Sequence, residues 1–170
     1  RRSSDLAFEE FEPFYTSLQE HLQKMGDPYL DAKLKDSNPY NLIENPDFEL
    51  GTLDGWNNWN NSITDNADKV FEGTWTGVVN AGSSGSLQQS PTLKPNTGYR
   101  ASLYARMANE GETAAFIINN YGGDKIVIPV EGSEFKKYEV NFTTGSITDP
   151  VIVSFYKHNS SYGNGYSDKF

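Results

Sequence analysis

Cysteine is absent from the 170 residues, which removes disulfides, thiolate catalysis and Cys-type zinc sites from consideration and leaves the redox compartment undecided. Basic residues are few, 14 against 23 acidic ones for a net charge of -9. They stand singly or in pairs, never in a stripe able to neutralise a run of phosphates, so nucleic acid is not an expected partner. No apolar run approaches the roughly 20 residues of a membrane-spanning helix, and no membrane partner is expected. Histidine occurs only as His21 and His158, and neither sits in a zincin or triad motif. Phosphate loops are missing too: Gly82, Gly85, Gly122 and Gly123 are turn glycines without the following helix and lysine. Catalysis by this chain finds little support in what remains.

What is present changes character near residue 41. Before it, Leu6, Phe11, Phe14, Tyr15, Leu18, Leu22 and Met25 recur at three- and four-residue spacings, which predicts an amphipathic helix. Pro13 kinks that helix or sits in its first turn, and Gly26 followed by Asp27-Pro28 ends it. Residues 31–40 read as a linker. Arg1 is not a natural start, so the chain is expected to be a fragment of something longer.

From residue 41 onward Gly, Asn, Ser and Thr are abundant, and aromatics make up 14% of the whole chain. Apolar residues now alternate with period two in short segments punctuated by Gly, Pro, Asn and Asp. The predicted strands cover residues 41–43, 55–59, 69–72, 77–80, 85–89, 99–107, 114–121, 125–130, 136–143, 151–158 and 166–170. So many short strands with no helical period among them predict an all-β fold, an antiparallel two-sheet β-sandwich. The expected organisation is a helix and linker over residues 1–40, then the sandwich over residues 41–170.

Within 99–107, Arg100, Ser102, Tyr104 and Arg106 fall on the polar side of the strand. Residues 151–158 likewise expose Ser154, Tyr156 and His158, and 114–121 exposes Asn119 with Tyr121. A competing candidate surface lies in the loops, where Asn57, Asn58, Trp59, Asn60 and Asn61 form an Asn-rich, Trp-bearing segment and Ser160 to Tyr166 form a Ser-Tyr-Gly-Asn loop.

Several motifs in order resemble a known group. Asn41-Leu42-Ile43-Glu44-Asn45-Pro46-Asp47-Phe48-Glu49 is followed by Gly55-Trp56, then Glu72-Gly73-Thr74-Trp75, then Tyr99-Arg100-Ala101-Ser102-Leu103-Tyr104, then Tyr138-Glu139-Val140-Asn141-Phe142, and finally Tyr166-Ser167-Asp168. Over about 130 residues this resembles a jelly-roll carbohydrate-binding module, of the group that includes families four, nine, sixteen and twenty-two. Asp47 departs from the group's usual glycine, and Lys169 replaces the second aspartate of its closing pair. Residues 21–30, His-Leu-Gln-Lys-Met-Gly-Asp-Pro-Tyr-Leu, resemble the closing segment of a bacterial sulfatase.

The resemblance implies a non-catalytic module that binds polysaccharide and targets an attached upstream catalytic domain to it, in a secreted, periplasmic or cell-surface bacterial protein. It implies that the strands above share a sheet, so that Tyr104, Arg106, Asn119, Tyr121, Tyr156 and His158 converge, with Trp59 on the rim. It also implies a structural Ca²⁺ held by Glu49, Asp168 and the main chain around Glu72. The alternative is a structural or protein-interaction sandwich that docks or spaces the upstream domain, with the Phe11 to Met25 stripe as its adhesive.

Overall fold

The computed structural model describes residues 41–170; the expected helix and linker lie outside the described residues. Nine strands form: β1 (Asn61–Thr64), β2 (Thr76–Val79), β3 (Gly85–Gln89), β4 (Gly98–Met107), β5 (Thr113–Asn119), β6 (Ile126–Glu131), β7 (Lys136–Thr143), β8 (Ile152–Lys157) and β9 (Gly165–Asp168). They make two antiparallel sheets, one of five strands in the order β1-β2-β9-β4-β7 and one of four in the order β3-β8-β5-β6. The all-β two-sheet sandwich expected from the alternation is therefore the architecture of the described residues.

Alternation sets which face each strand buries. Leu103, Ala105 and Met107 of β4 point inward, as do Leu87 of β3, Phe116 and Ile118 of β5 and Val153 and Phe155 of β8, and all of them belong to one core. In the four-stranded sheet Leu87, Phe155, Phe116 and Ile128 lie in one cross-strand row, so large apolar groups stack against each other across the sheet.

Three predicted strands do not form. Residues 41–43, 55–59 and 69–72 form loops, turns and bends with one isolated bridge at Trp59, while β1, which the alternation did not reveal, pairs with β2. Asn45, Phe48, Gly51 and Gly55 all take positive φ, which no extended strand tolerates. The opening stretch is a series of tight turns instead, closed by Phe48 N–H on Asn45 O and Gly51 N–H on Phe48 O. A positive φ of 63° is unfavourable for a phenylalanine, and complete burial of its ring offsets that strain.

The stretch nevertheless joins the two ends of the sandwich. Phe48 stacks on Trp56 at 5.1 Å, Trp56 meets Phe170 at 4.5 Å, and Phe48 meets Phe170 edge-on at 6.2 Å. Trp56 Nε1 donates to Asn45 O, Phe170 N to Pro46 O, and Asn41 Nδ2 to Phe170 O. This buried cluster is thus built from the opening stretch and the segment just after β9.

Candidate glycan-binding face

On the outer side of the four-stranded sheet, Trp59 forms an isolated antiparallel bridge to Ser86, and Ser86 pairs in turn with Tyr156. Directly paired side chains share a face. Ser86 is small and buried, so the Trp59 and Tyr156 rings meet across it, 5.9 Å apart and tilted by 39°. Trp59 remains 48% exposed. The result is an apolar ring pair of the kind that sugar stacking needs.

The asparagines around Trp59 have a structural task. Asn57 bonds β3 through its main-chain N–H to Gln88 O, its Oδ1 accepting from Gln88 N and its Nδ2 donating to Ser86 Oγ. Asn61 Nδ2 donates to Asn57 O and Ser86 O, and Asn60 Nδ2 to Asn80 O. The segment therefore caps the open edge of β3 and fixes Trp59 on the face; edge groups left bare invite pairing with other chains.

Along the same face Gln88 pairs with Ser154, and Asn119 with Ile152. Gln88 and Asn119 are half-buried. Ser154 is almost wholly buried, and its hydroxyl has no hydrogen-bond partner. Gln88 was absent from the sequence-derived candidates. The signal was present, since inward Leu87 in a period-two strand forces Ser86 and Gln88 outward.

The other candidates separate from this face. β4 lies in the five-stranded sheet, whereas β5 and β8 lie in the four-stranded one, so Tyr104 and Arg106 do not converge with Asn119, Tyr156 and His158. Tyr104 instead lies under Phe71, ring to ring at 4.2 Å. Arg106 is held between Phe135 and Tyr166, at 5.1 and 4.6 Å from the ring centroids, and donates to Ser133 O and Asp68 O. Its charge is thereby committed to fastening loops over the opposite sheet.

Tyr121 also leaves the expected face. Asn120 takes a φ of 60°, which breaks the alternation one residue after β5 ends. Tyr121 turns into the core, edge-on to Phe142 at 5.0 Å, with its hydroxyl donating to Asp124 O. His158 is exposed just past β8, where its Nδ1 lies 3.2 Å from Ser160 Oγ and accepts from Ser160 N.

Charge is divided between the sheets. On the outward positions of the four-stranded sheet, Glu131 is the one charged residue among the described strands; the other sheet carries Arg100, Arg106, Lys137, Glu139 and Asp168 outward. A depression of about 670 Å³ on that other sheet, lined by Gly98 to Arg100 and Asn141 to Thr143, is a poorer sugar site. Its polar groups face one another, Arg100 Nε donating to Asn141 Oδ1 at 3.3 Å.

The proposed metal ligands divide similarly. Glu49 Oε1 accepts from Thr74 N and Trp75 N at 2.8 and 2.9 Å, closing the turn that Gly73 makes at a φ of 79°. A side chain on Gly73 would collide with that carboxylate. The Glu72 side chain pairs with Lys169 at 2.9 Å, while its backbone hydrogen-bonds the Asp168 carboxylate. Asp168 is fully buried, accepting from Lys169 N at 2.8 Å and Thr76 Oγ1 at 3.3 Å. Burial, with the Asp47 charge adding to it, pushes its carboxyl up to about 8 despite those hydrogen bonds. Among the described residues no three Asp, Glu, His or Cys side chains gather to hold a metal. A desolvated carboxylate beside a second carboxylate, with turn oxygens nearby, is a donor set that suits a hard divalent cation whose shell is completed by carbonyls.

A two-sheet sandwich that sets an exposed aromatic pair and two amides on an outer face with a single charged residue has the form of a ligand-binding module. The chain belongs to the family CBM_4_9, Carbohydrate binding domain, whose model matches residues 40–161, and it is accordingly a non-catalytic carbohydrate-binding module. It is 32% identical over 130 residues to a keratan-sulfate endo-1,4-beta-galactosidase of Sphingobacterium multivorum, covering 76% of this chain but 30% of that protein. Among solved structures it is similar to a family 16 carbohydrate-binding module (TM-score 0.67, 22% identity, 75% of this chain and 96% of that one). It is also similar to the module TmCBM61 in complex with beta-1,4-galactotriose (TM-score 0.56, 18% identity, 76% and 94%). At these identities the structural likeness concerns the fold.

Proposed function

We propose that the four-stranded face is the sugar site, with Trp59 and Tyr156 stacking on pyranose C–H surfaces and the Gln88 and Asn119 amides bonding hydroxyls. The observation that carries this is the ring pair across Ser86. Tyr156 and Asn119 are separated by four residue steps of register, roughly 13 Å along the strands, which is room for a chain rather than a single ring. Because the face carries so little charge, the ligand is an uncharged stretch of polysaccharide, and the module directs an attached carbohydrate-active enzyme to it outside the bacterial cell. Two structurally similar modules, TmCBM61 with its beta-1,4-galactotriose and a CBM22-1 xylan-binding domain of Paenibacillus barcinonensis Xyn10C (TM-score 0.52, 15% identity), make β-1,4-galactan and xylan the first probes. Affinity electrophoresis through gels holding such neutral polymers is expected to retard the chain. Full mobility in every one, with the β-sheet circular dichroism intact, would overturn the reading.

A calcium ion in structural use belongs to the same proposal. Asp168 with the neighbouring Asp47 carboxylate and main-chain oxygens near Glu72 are the groups that would hold it, Glu49 closing the turn beside them, and the ion would neutralise the buried charge of Asp168. At about a hundred times its Kd such an ion adds roughly 2.7 kcal/mol of stability. Thermal melting of the apo chain is therefore expected to shift upward on adding Ca²⁺, with Asp168→Asn losing the response. A wild-type melting temperature indifferent to both chelator and Ca²⁺ would contradict the site.

A further inference from the structure

The loop between β8 and β9 displays Tyr162 with 79% of its surface exposed, the highest among the large apolar residues that stand exposed in the described chain. An exposed aromatic on a loose loop would mean little, but this loop is held from several sides. Glu112 accepts from Tyr162 N at 2.8 Å and from Gly163 N at 2.9 Å. Gly163 has no room for a side chain, since a Cβ there would lie 2.6 Å from the Glu112 carboxylate. Ser161 Oγ donates to Thr113 O and accepts from Thr113 N, and Gly82 N donates to Tyr162 O.

The costliest brace is Lys157. Its side chain is fully buried, and Nζ donates to Ser83 O and Ser161 O at 2.9 and 2.8 Å. Burying an ammonium whose hydrogen bonds go to carbonyls is unfavourable on its own; burial lowers its pKa, and the nearby Glu112 carboxylate opposes that in part. What the lysine secures is the fixed position of two neighbouring loops, 80–84 and 158–164. Rigid display of an aromatic removes ordering cost from binding.

The position of the loop says what the aromatic meets. Thr113, to which Ser161 is bound, stands two residues before Ala115, the register partner of Tyr156. The loop thus begins one outward step, about 7 Å, beyond Tyr156 along the strands. His158 and its Ser160 contact lie between.

We infer that Tyr162 is an additional stacking platform for a sugar ring, taking the glycan chain as it runs off the Trp59–Tyr156 end of the four-stranded face. The inference rests on that face being the glycan site, and it makes the module a reader of chain length as well as of sugar type. Tyr162 contributes only when the bound oligomer is long enough to pass Tyr156. Glu112 and Lys157 are positioning residues that act through the loop.

The test takes the 170-residue chain through gels of β-1,4-galactan and of xylan, then titrates disaccharide and hexasaccharide fragments of whichever polymer retards it in a calorimeter. Tyr162→Ala is expected to weaken hexasaccharide binding about five- to tenfold and leave the disaccharide unchanged, while Tyr162→Phe keeps wild-type affinity for both. Glu112→Gln is expected to show a smaller loss confined to the hexasaccharide. Equal hexasaccharide affinity for wild type and Tyr162→Ala overturns this platform and leaves the sugar face standing, as does a loss equal on both lengths. Full mobility in both gels overturns both readings.

Discussion

Replacing Trp59 or Tyr156 with alanine is expected to weaken polysaccharide binding ten- to a hundredfold, about 1.5–3 kcal/mol each, with no change in melting temperature beyond a few degrees. The size follows from the arrangement. The two rings lie 5.9 Å apart over Ser86 and present their surface outward, so removing either takes away half of the apolar platform. Stability is little affected, because Trp59 is half exposed and held in place by its backbone and the neighbouring asparagines. The two losses are also expected to be less than additive, since the residues are in contact and serve one ligand. Calorimetric titration of both single variants and the double variant checks this, and a single variant binding within twofold of wild type would contradict it.

Phe48→Ala is expected to cost about 3–5 kcal/mol of unfolding free energy, the range for truncating a fully buried phenylalanine. Phe48 has no exposure and contacts both Trp56 and Phe170, so the cavity opens where the opening stretch meets the segment after β9. Gly77 also faces this ring, and a Cβ there would collide with it, which shows how closely the site is filled. The positive φ of Phe48 offers a small compensation at most, because alanine in that conformation is strained as well. Urea denaturation of the variant measures the difference; a loss under 1 kcal/mol would show that the joined ends are not a main source of stability.

The sequence made the strands and their faces legible because period-two alternation is a local property. In β4, Leu103, Ala105 and Met107 inward and Arg100, Ser102, Tyr104 and Arg106 outward could be read directly. Which sheet a strand joins depends on partners far along the chain, and alternation carries no information on that. Tyr104 and Tyr156 consequently sit on opposite outer faces, although each was correctly placed on the outer side of its own strand. Tyr121 failed for a smaller reason, one left-handed residue at Asn120. β1 escaped notice since Asn61, Ser62, Ile63 and Thr64 are all half-buried and show no contrast between faces.

The Asn-rich segment illustrates the reverse case. As a loop it competed with the sheet face for the role of sugar site, yet the bridge from Trp59 to Ser86 attaches it to that face. The two alternatives are parts of one surface. Likewise the opening motif signals the family through residues that make turns and a buried aromatic cluster, with no strand among them.

The central claim is that the glycan is read on the four-stranded sheet and not on the five-stranded one. Its most direct test is a side-by-side titration of Tyr156→Ala and Tyr104→Ala with the polymer that retards the wild-type chain. The expected result is loss of at least tenfold for Tyr156→Ala and wild-type affinity for Tyr104→Ala, whose ring is covered by Phe71. Loss confined to Tyr104→Ala would contradict the claim and move the site to the opposite face.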